Sequence, residues 1–151
     1  MHQAGFYVKI NIMNLTYKKI LKLAIFPFLV YALNDTVQSL ATNFYLLYSI
    51  DTFSHFLGGI AIAYVAHSIL SLLEKKRWIT IQKNILRACI VLAVVMTIAV
   101  WWEFYEFLYD YFLNPTYTMQ PSVADTMKDL YMGMFGAIVY SIVNIYFRRR
   151  E

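Results

Sequence analysis

The sequence predicts an all-α protein that crosses the membrane as a polytopic bundle of about four helices. Hydrophobic residues make up 60% of the chain and charged residues only 15%, whereas a soluble domain has about 45–50% and about 25%. Long uncharged stretches recur along the chain, and the basic residues fall almost entirely in alternate gaps between them. This pattern is typical of helices that use a bilayer as their apolar solvent.

The N-terminal part of the chain is predicted to form a leader followed by the first span. Residues 1–19 mix polar and apolar side chains, which indicates a cytoplasmic leader. Residues 20–151 are predicted to be a single transmembrane helical domain. Its first span is placed at residues 20–40, where Pro27 can kink the helix. The apolar segment 41–50 is too short to cross and is predicted to lie along the outer interface.

Three further stretches are long enough to span. Residues 53–73 carry no formal charge when histidine is counted as neutral, and the charged residues 74–77 end this span. The third span is placed at residues 86–110, before a break at Asn114 and Pro115, and the fourth at residues 126–147, before three arginines. About 20 apolar residues, rising 1.5 Å each, cross about 30 Å of hydrocarbon.

The basic residues predict the orientation of the chain. With four spans, twelve of the thirteen lysines and arginines fall on one side of the membrane, and only Lys128 falls on the other. Lysine and arginine concentrate in cytoplasmic loops, so both termini are predicted to be cytoplasmic. Since these residues flank spans, they indicate topology, and nucleic-acid binding is not expected.

The acidic residues gather at the opposite, outer side, where seven of the nine are placed. The helix rise puts His55 about 6 Å deeper than Asp51, and Asp129 about 6 Å deeper than Asp125. Glu103 lies about 27 Å along its span, near the outer edge of the hydrocarbon. An ionised carboxylate facing lipid costs at least about 2.5–3.5 kcal/mol, so these faces are expected to turn inward. The predicted polar cluster comprises Asp51, His55, Glu103, Glu106, Asp110, Asp125 and Asp129.

Small residues lie on the same helix faces as the predicted cluster. Gly59 is four residues after His55, and Gly133 and Gly136 are four and seven residues after Asp129. Small residues allow membrane helices to approach closely. These glycines are therefore predicted to lie at helix–helix contacts.

The residue types of the cluster suit a divalent metal ion, for which imidazole nitrogen and carboxylate oxygen are common ligands. The candidate metal ligands are His55, Glu103, Glu106 and Asp129. Without a positive partner the carboxylates would repel one another. They therefore need a metal ion, a shared proton or the ammonium group of Lys128.

Simpler interpretations of the same residues stay open at this point. Asp51 can accept a hydrogen bond from His55, Asp110 can be solvated, and Asp125 can be the N-cap of the fourth span. The helix phase of Asp35 is not determined by the sequence. The aromatic residues of the third span are predicted to form an outer interfacial belt, and they are Trp101, Trp102, Tyr105, Tyr109 and Tyr111.

An ordered set of motifs carries a family resemblance. Asp51-x-x-x-His55-x-x-x-Gly59 is followed by Trp102-Glu103-x-x-Glu106, and then by Gln120, Asp125-Thr126-x-x-Asp129 and Gly136. Over residues 50–140 this set resembles the YjdF-type small bacterial inner-membrane proteins, and it is more distantly similar to VanZ-like membrane proteins. The resemblance implies a helical fold and a place in the bacterial cytoplasmic membrane, and it implies no particular activity.

Three functions are compatible with these residues. The cluster binds a divalent metal or a cationic group in a binding or accessory role. Alternatively, it is the site of a metal-assisted hydrolase or transferase that acts on a lipid headgroup or envelope precursor, with one carboxylate as general base. In the third case the cluster joins the helices of a structural or assembly protein through hydrogen bonds. A homo-oligomer is compatible with all three, and no soluble-enzyme motif is present.

Overall fold

The computed structural model describes residues 2–41, 50–113 and 118–148. Within these residues there are four α-helices and no β-strand: α1 (His2–Leu40), α2 (Ile50–Lys75), α3 (Asn84–Leu113) and α4 (Val123–Arg148). Each helix holds a stretch that is long and apolar enough to cross a membrane, namely Leu21–Leu40, Ile50–Lys75, Asn84–Leu113 and Val123–Phe147. The prediction of an all-α bundle with four spans is confirmed.

The helix limits differ from the sequence-based limits mainly at the ends. α1 begins at His2 and continues through Pro27 without a break, so the predicted leader belongs to the same helix as the first span. α3 runs on to Leu113, three residues past its predicted end. The segment predicted to lie along the interface falls almost wholly outside the described residues, as do Asn114 and Pro115.

The interior of the bundle is built from small side chains, while the large ones face outward. The buried apolar core consists of three alanines and two valines on α2, α3 and α4: Ala63, Ala66, Val91, Val95 and Ala137. Large apolar side chains such as Phe28, Trp101 and Phe147 are instead exposed on the outer faces. This distribution is expected where lipid contacts the outside, because lipid tails are as apolar as leucine and close contact favours small residues.

Helix α2 lies centrally in the bundle and contacts α1, α3 and α4. Its tightest contact is with α4, where glycines bring the two backbones together. A Cβ atom on Gly59 would overlap the carbonyl group of Gly133, and one on Gly136 would overlap the carbonyl of Phe56. By contrast, a Cβ atom on Gly58 would meet nothing within 4 Å. The close approach therefore requires glycine at positions 59 and 136.

We expect Gly59→Ala to destabilise the bundle while Gly58→Ala leaves its stability nearly unchanged. The added methyl group at position 59 must push α4 away from α2, and overpacking of this kind costs about 1–3 kcal/mol. Thermal unfolding of the two variants in the same detergent measures the difference. Equal midpoints for both variants would show that the α2–α4 contact is looser than the structure describes.

An ion pair between buried Arg87 and half-buried Glu74 lies at the end of the bundle where α2 finishes and α3 begins. The Arg87 guanidinium Nη2 donates to Glu74 Oε2, and the other oxygen of Glu74 accepts from the Ile81 backbone N–H at 3.1 Å. Arg77 adopts a left-handed backbone conformation (φ 59°), which ends α2 and turns the chain towards Ile81. The pair thus fastens the loop to both helices.

Candidate functional site

The candidate site lies at the other end of the bundle, where α1 and α3 finish and α2 and α4 begin. The first two turns of α2 carry Asp51 and His55, and the first two turns of α4 carry Asp125 and Asp129. Glu103 and Glu106 come from the last part of α3. Because consecutive spans run in opposite directions, these sequence-distant turns meet at one depth, which is what the helix rise predicted.

His55 is the centre of this site. One nitrogen of its ring and single oxygens of Glu103 and Glu106 lie within 4.8 Å of one another. A second group with the same spacing joins His55 to Asp51 and Asp129. Ligand atoms of one metal ion are separated by distances of this order, since each bond is about 2.0–2.2 Å long. Each group of three thus has a spacing of the order found around one metal ion, and His55 belongs to both groups.

The carboxylates nearest His55 are deeply buried. Glu103 is 5% exposed, Glu106 is 6% exposed and Asp129 is 2% exposed. Burial of a carboxylate is costly unless a positive group or hydrogen-bond donors compensate it. These three carboxylates therefore need hydrogen-bond donors or positive charge close to them.

Hydrogen bonds satisfy only part of these carboxylates. The Trp102 indole Nε1–H donates to Glu106 Oε1 at 2.8 Å, and the Gln120 amide Nε2–H donates to Glu103 Oε2 at 3.3 Å. Among the described residues, no donor lies within hydrogen-bond distance of the buried atoms Glu103 Oε1 and Asp129 Oδ1. Two buried acceptor oxygens of the cluster around His55 thus lack a hydrogen-bond donor within the described part of the chain.

Asp51 has a more open position than the other acids of the two groups. Its Oδ1 lies 3.6 Å from His55 Nε2, and its side chain is 25% exposed. An imidazole that bonds a metal through one nitrogen is commonly oriented by a carboxylate at the other. Asp51 is placed to act either as a ligand or as this orienting group.

Asp110 turns away from His55 towards the chain that precedes α4. Its two carboxylate oxygens accept the backbone N–H groups of Met119 and Gln120, at 3.0 and 2.8 Å. The Gln120 side chain continues the network, since its amide also donates to Thr126 Oγ1 at 2.7 Å. Asp110 therefore positions Gln120 against Glu103 and is not simply solvated.

Asp125 is also occupied, because the Lys128 ammonium lies 2.5 Å from its Oδ1 and 3.9 Å from Asp129 Oδ1. The interpretation of Asp125 as the N-cap of α4 is wrong. Ser122 immediately precedes the helix, and its Oγ accepts the Asp125 backbone N–H at 3.1 Å. The capping residue is thus a serine three positions earlier, as in the usual serine-led helix start.

An apolar groove of about 390 Å³ opens beside the site. It lies between α1 and α3 and has α2 as its floor. Among the described residues α1 packs its backbone closely only against α2, so a gap remains between α1 and α3. The rings of Tyr31 and Trp102 bridge this gap, where they meet edge to face at 5.6 Å.

Sequence reasoning missed three residues of the site. The sequence predicts Trp102 in the interfacial belt, but its side chain is half-buried and donates a hydrogen bond to Glu106. Asn34 lines the groove, and its Oδ1 is buried with no partner among the described residues. Gln120 belongs to the motifs that carry the family resemblance, but it is not among the residues predicted for the cluster. Trp102 precedes Glu106 by four residues, and this one-turn spacing was the available signal.

Asp35, whose helix phase was open, borders a small hollow at the same end. It is exposed, and it shares the hollow with Asn34, Asp51 and Glu106. The hollow is about 10 Å³ in volume, room for about one water molecule. Asp35 therefore lies at the rim of the site.

The chain matches the family described as a predicted membrane protein family, DUF2238, over residues 9–150. The chain belongs to the DUF2238 family. The match covers the four candidate spans and the whole acid and histidine cluster. Neither the curated proteins nor the solved structures give a match to this DUF2238 chain. It is a multi-pass membrane protein embedded in a lipid bilayer.

Proposed function

We propose that this protein binds a divalent metal ion at the cluster around His55, in a binding or accessory role in the membrane. His55, Glu103, Glu106 and Asp129 are the proposed ligands, and Asp51 supports the imidazole. The single observation that carries the proposal is the pair of buried oxygens, Glu103 Oε1 and Asp129 Oδ1, neither of which has a hydrogen-bond donor among the described residues. A cation bound beside His55 would lie close to these carboxylates and reduce the repulsion between them.

The donor set narrows the type of metal. Carboxylate oxygens with one imidazole nitrogen suit zinc, manganese or iron(II), whereas sites for copper(I) or iron–sulfur clusters use sulfur. Buried ligands held by second partners also favour tight binding. Trp102 supplies this support to Glu106, and Gln120 supplies it to Glu103.

The metal content of the purified protein tests the proposal. Elemental mass spectrometry of the wild type is expected to give about one divalent metal per chain, and the double variant His55→Ala, Glu103→Gln is expected to lose it. His67→Ala is the matched control, because it removes a buried imidazole from α2 outside both candidate ligand groups. A wild type that stays free of metal after incubation with zinc, manganese or iron(II) would sink the proposal.

The groove beside the cluster favours a second function, that of a metal-assisted hydrolase or transferase acting on a lipid headgroup or envelope precursor. For hydrolysis, a metal ion held by His55, Glu103, Glu106 and Asp129 would activate the water that replaces the alcohol of the ester at phosphorus or at the carbonyl carbon. One carboxylate would accept the proton of the water and deliver it to the leaving oxygen. An enzyme of this kind needs access from the lipid, and the opening between α1 and α3 supplies it.

A purely structural role has less support. A network that only joins helices is expected to be closed, with each buried carboxylate paired and no cavity beside it. Two buried oxygens that lack a hydrogen-bond donor among the described residues, together with the groove of about 390 Å³, depart from that expectation.

The placement of the basic residues supports our inference that both termini are cytoplasmic and that the cluster lies near the outer face. The YjdF-type resemblance supports the bacterial cytoplasmic membrane as the location. That the protein forms a homo-oligomer is likewise a proposal.

A further inference from the structure

The groove runs along one half of the membrane thickness and ends at the polar site. On α2 it extends from Asp51 to Ile62, a rise of about 16 Å, against about 30 Å for the hydrocarbon of the bilayer. Its deep part is lined by apolar groups such as Pro27, Ile62 and Val95. Its shallow end carries Asn34 and Asp51. An amphiphile with its chain in one leaflet matches this gradient.

The shallow end offers acceptors to the head of such an amphiphile. Asn34 Oδ1 is buried there with no partner among the described residues, and the Asp51 carboxylate lies on the facing helix. The rings of Tyr31 and Trp102 line the same end, and an aromatic face attracts an ammonium group. Acceptors, a carboxylate and aromatic rings together suit a cation that carries N–H donors.

The charge of the site points in the same direction. The two candidate ligand groups contain four carboxylates, those of Asp51, Glu103, Glu106 and Asp129. A divalent ion neutralises half of that charge, so an anionic phosphate head on its own adds repulsion, while an ammonium reduces it. One ammonium is already accommodated at this end, since Lys128 lies between Asp125 and Asp129.

We infer that the groove binds a membrane lipid with a primary ammonium head, whose hydrocarbon chain lies between α1 and α3 and whose ammonium lies between Asn34 and Asp51. The inference rests on the proposed function, because it assigns the lipid class that is bound next to the metal. Any bilayer lipid can fill an apolar gap, so selectivity for this lipid depends on its ammonium head.

The test compares two lipids with identical chains in native mass spectrometry. The protein is reconstituted with equal amounts of dioleoyl phosphatidylethanolamine and dioleoyl phosphatidylglycerol, which share the phosphate and differ in the ammonium. The ethanolamine lipid is expected to be retained about fivefold more than the glycerol lipid, the ratio for about 1 kcal/mol from one cation contact. Equal retention, or retention of the glycerol lipid, would overturn the inference.

Variants separate the groove from the head site. Gly58→Leu places a side chain into the open space of the groove and is expected to abolish lipid retention. Ala93→Leu introduces the same side chain at an exposed position outside the groove and is expected to retain the lipid. Asn34→Leu keeps the groove and Asp51 but removes one acceptor of the ammonium, so the preference for the ethanolamine lipid is expected to fall below that of the wild type. Selectivity for the ethanolamine lipid that is as high in Asn34→Leu as in the wild type contradicts the assignment of the head.

Metal analysis of the same samples distinguishes the two proposals. Gly58→Leu and Asn34→Leu are expected to keep their metal, because neither residue belongs to the candidate ligand groups. Selective retention of the ethanolamine lipid by a metal-free wild type would sink the metal proposal alone. A metal-loaded protein that prefers the glycerol lipid would sink the lipid assignment alone.

Discussion

Glu74→Ala is expected to destabilise the bundle by about 3–5 kcal/mol, the cost of leaving a buried charge without its partner. The substitution leaves the Arg87 guanidinium buried without its carboxylate. It also removes the acceptor of the Ile81 backbone N–H, so the loop between α2 and α3 loses its fastening. Unfolding in a fixed detergent, followed by the loss of helical circular dichroism, measures the effect.

Two further variants divide this effect into its parts. Glu74→Gln keeps an oxygen for the Ile81 N–H but removes the charge, so it isolates the contribution of the ion pair. The double variant Glu74→Leu, Arg87→Leu removes both charges and is expected to be more stable than Glu74→Ala, because no buried charge remains. A loss below about 1 kcal/mol for Glu74→Ala, the range of exposed pairs, would show that water reaches Arg87 freely.

The fold was accessible from the sequence because membrane spans depend on length and hydropathy. Four stretches satisfy both conditions, and the bilayer requires each of them to form a helix, since backbone groups cannot stay unpaired in hydrocarbon. The first and last residues of the helices were harder to predict from the sequence. The last turn of α3, up to Leu113, and the continuity of α1 with its leader depend on how the helices end, which hydropathy does not determine.

The candidate site was partly accessible for a geometric reason. The rise per residue of an α-helix is fixed and consecutive spans run in opposite directions, which places His55, Glu103 and Asp129 at one depth. These side chains turn inward because exposing a charge to lipid is costly. Helix phase on α1 and side-chain direction in the loops are not fixed in this way. Asn34 and the turn of Asp110 towards Gln120 therefore became evident only from the packed structure.

The two ends of the bundle use charge differently. At one end Arg87 lies against Glu74, and acid and base form a pair within the chain. At the other end the described residues include one exposed ammonium, that of Lys128, near several carboxylates. A chain that pairs its buried charge at one end and accumulates acids at the other is suited to recruit positive charge from outside, which favours a binding site over a helix-joining network.

Asp129→Asn is expected to lower the affinity for the divalent ion by about 10–100-fold or more, because even residues that only support metal ligands contribute that much. The substitution keeps the shape of a side chain that is 2% exposed, so packing should change little. Its amide offers one neutral oxygen in place of a carboxylate, and the attraction to the ion falls accordingly. Competition with a chromogenic chelator measures the affinity of each variant.

Asp125→Asn is the matched control, since it makes the same chemical change one helical turn earlier. Asp125 lies against Lys128 and outside both candidate ligand groups, so its substitution is expected to change the affinity less than threefold or so, as for a charge near the surface. Similar losses for both variants would indicate that the ion responds only to the overall charge of this end. A loss confined to Asp129→Asn instead requires direct contact, because the two acids share a helix and a charge and differ in burial and in their distance from His55.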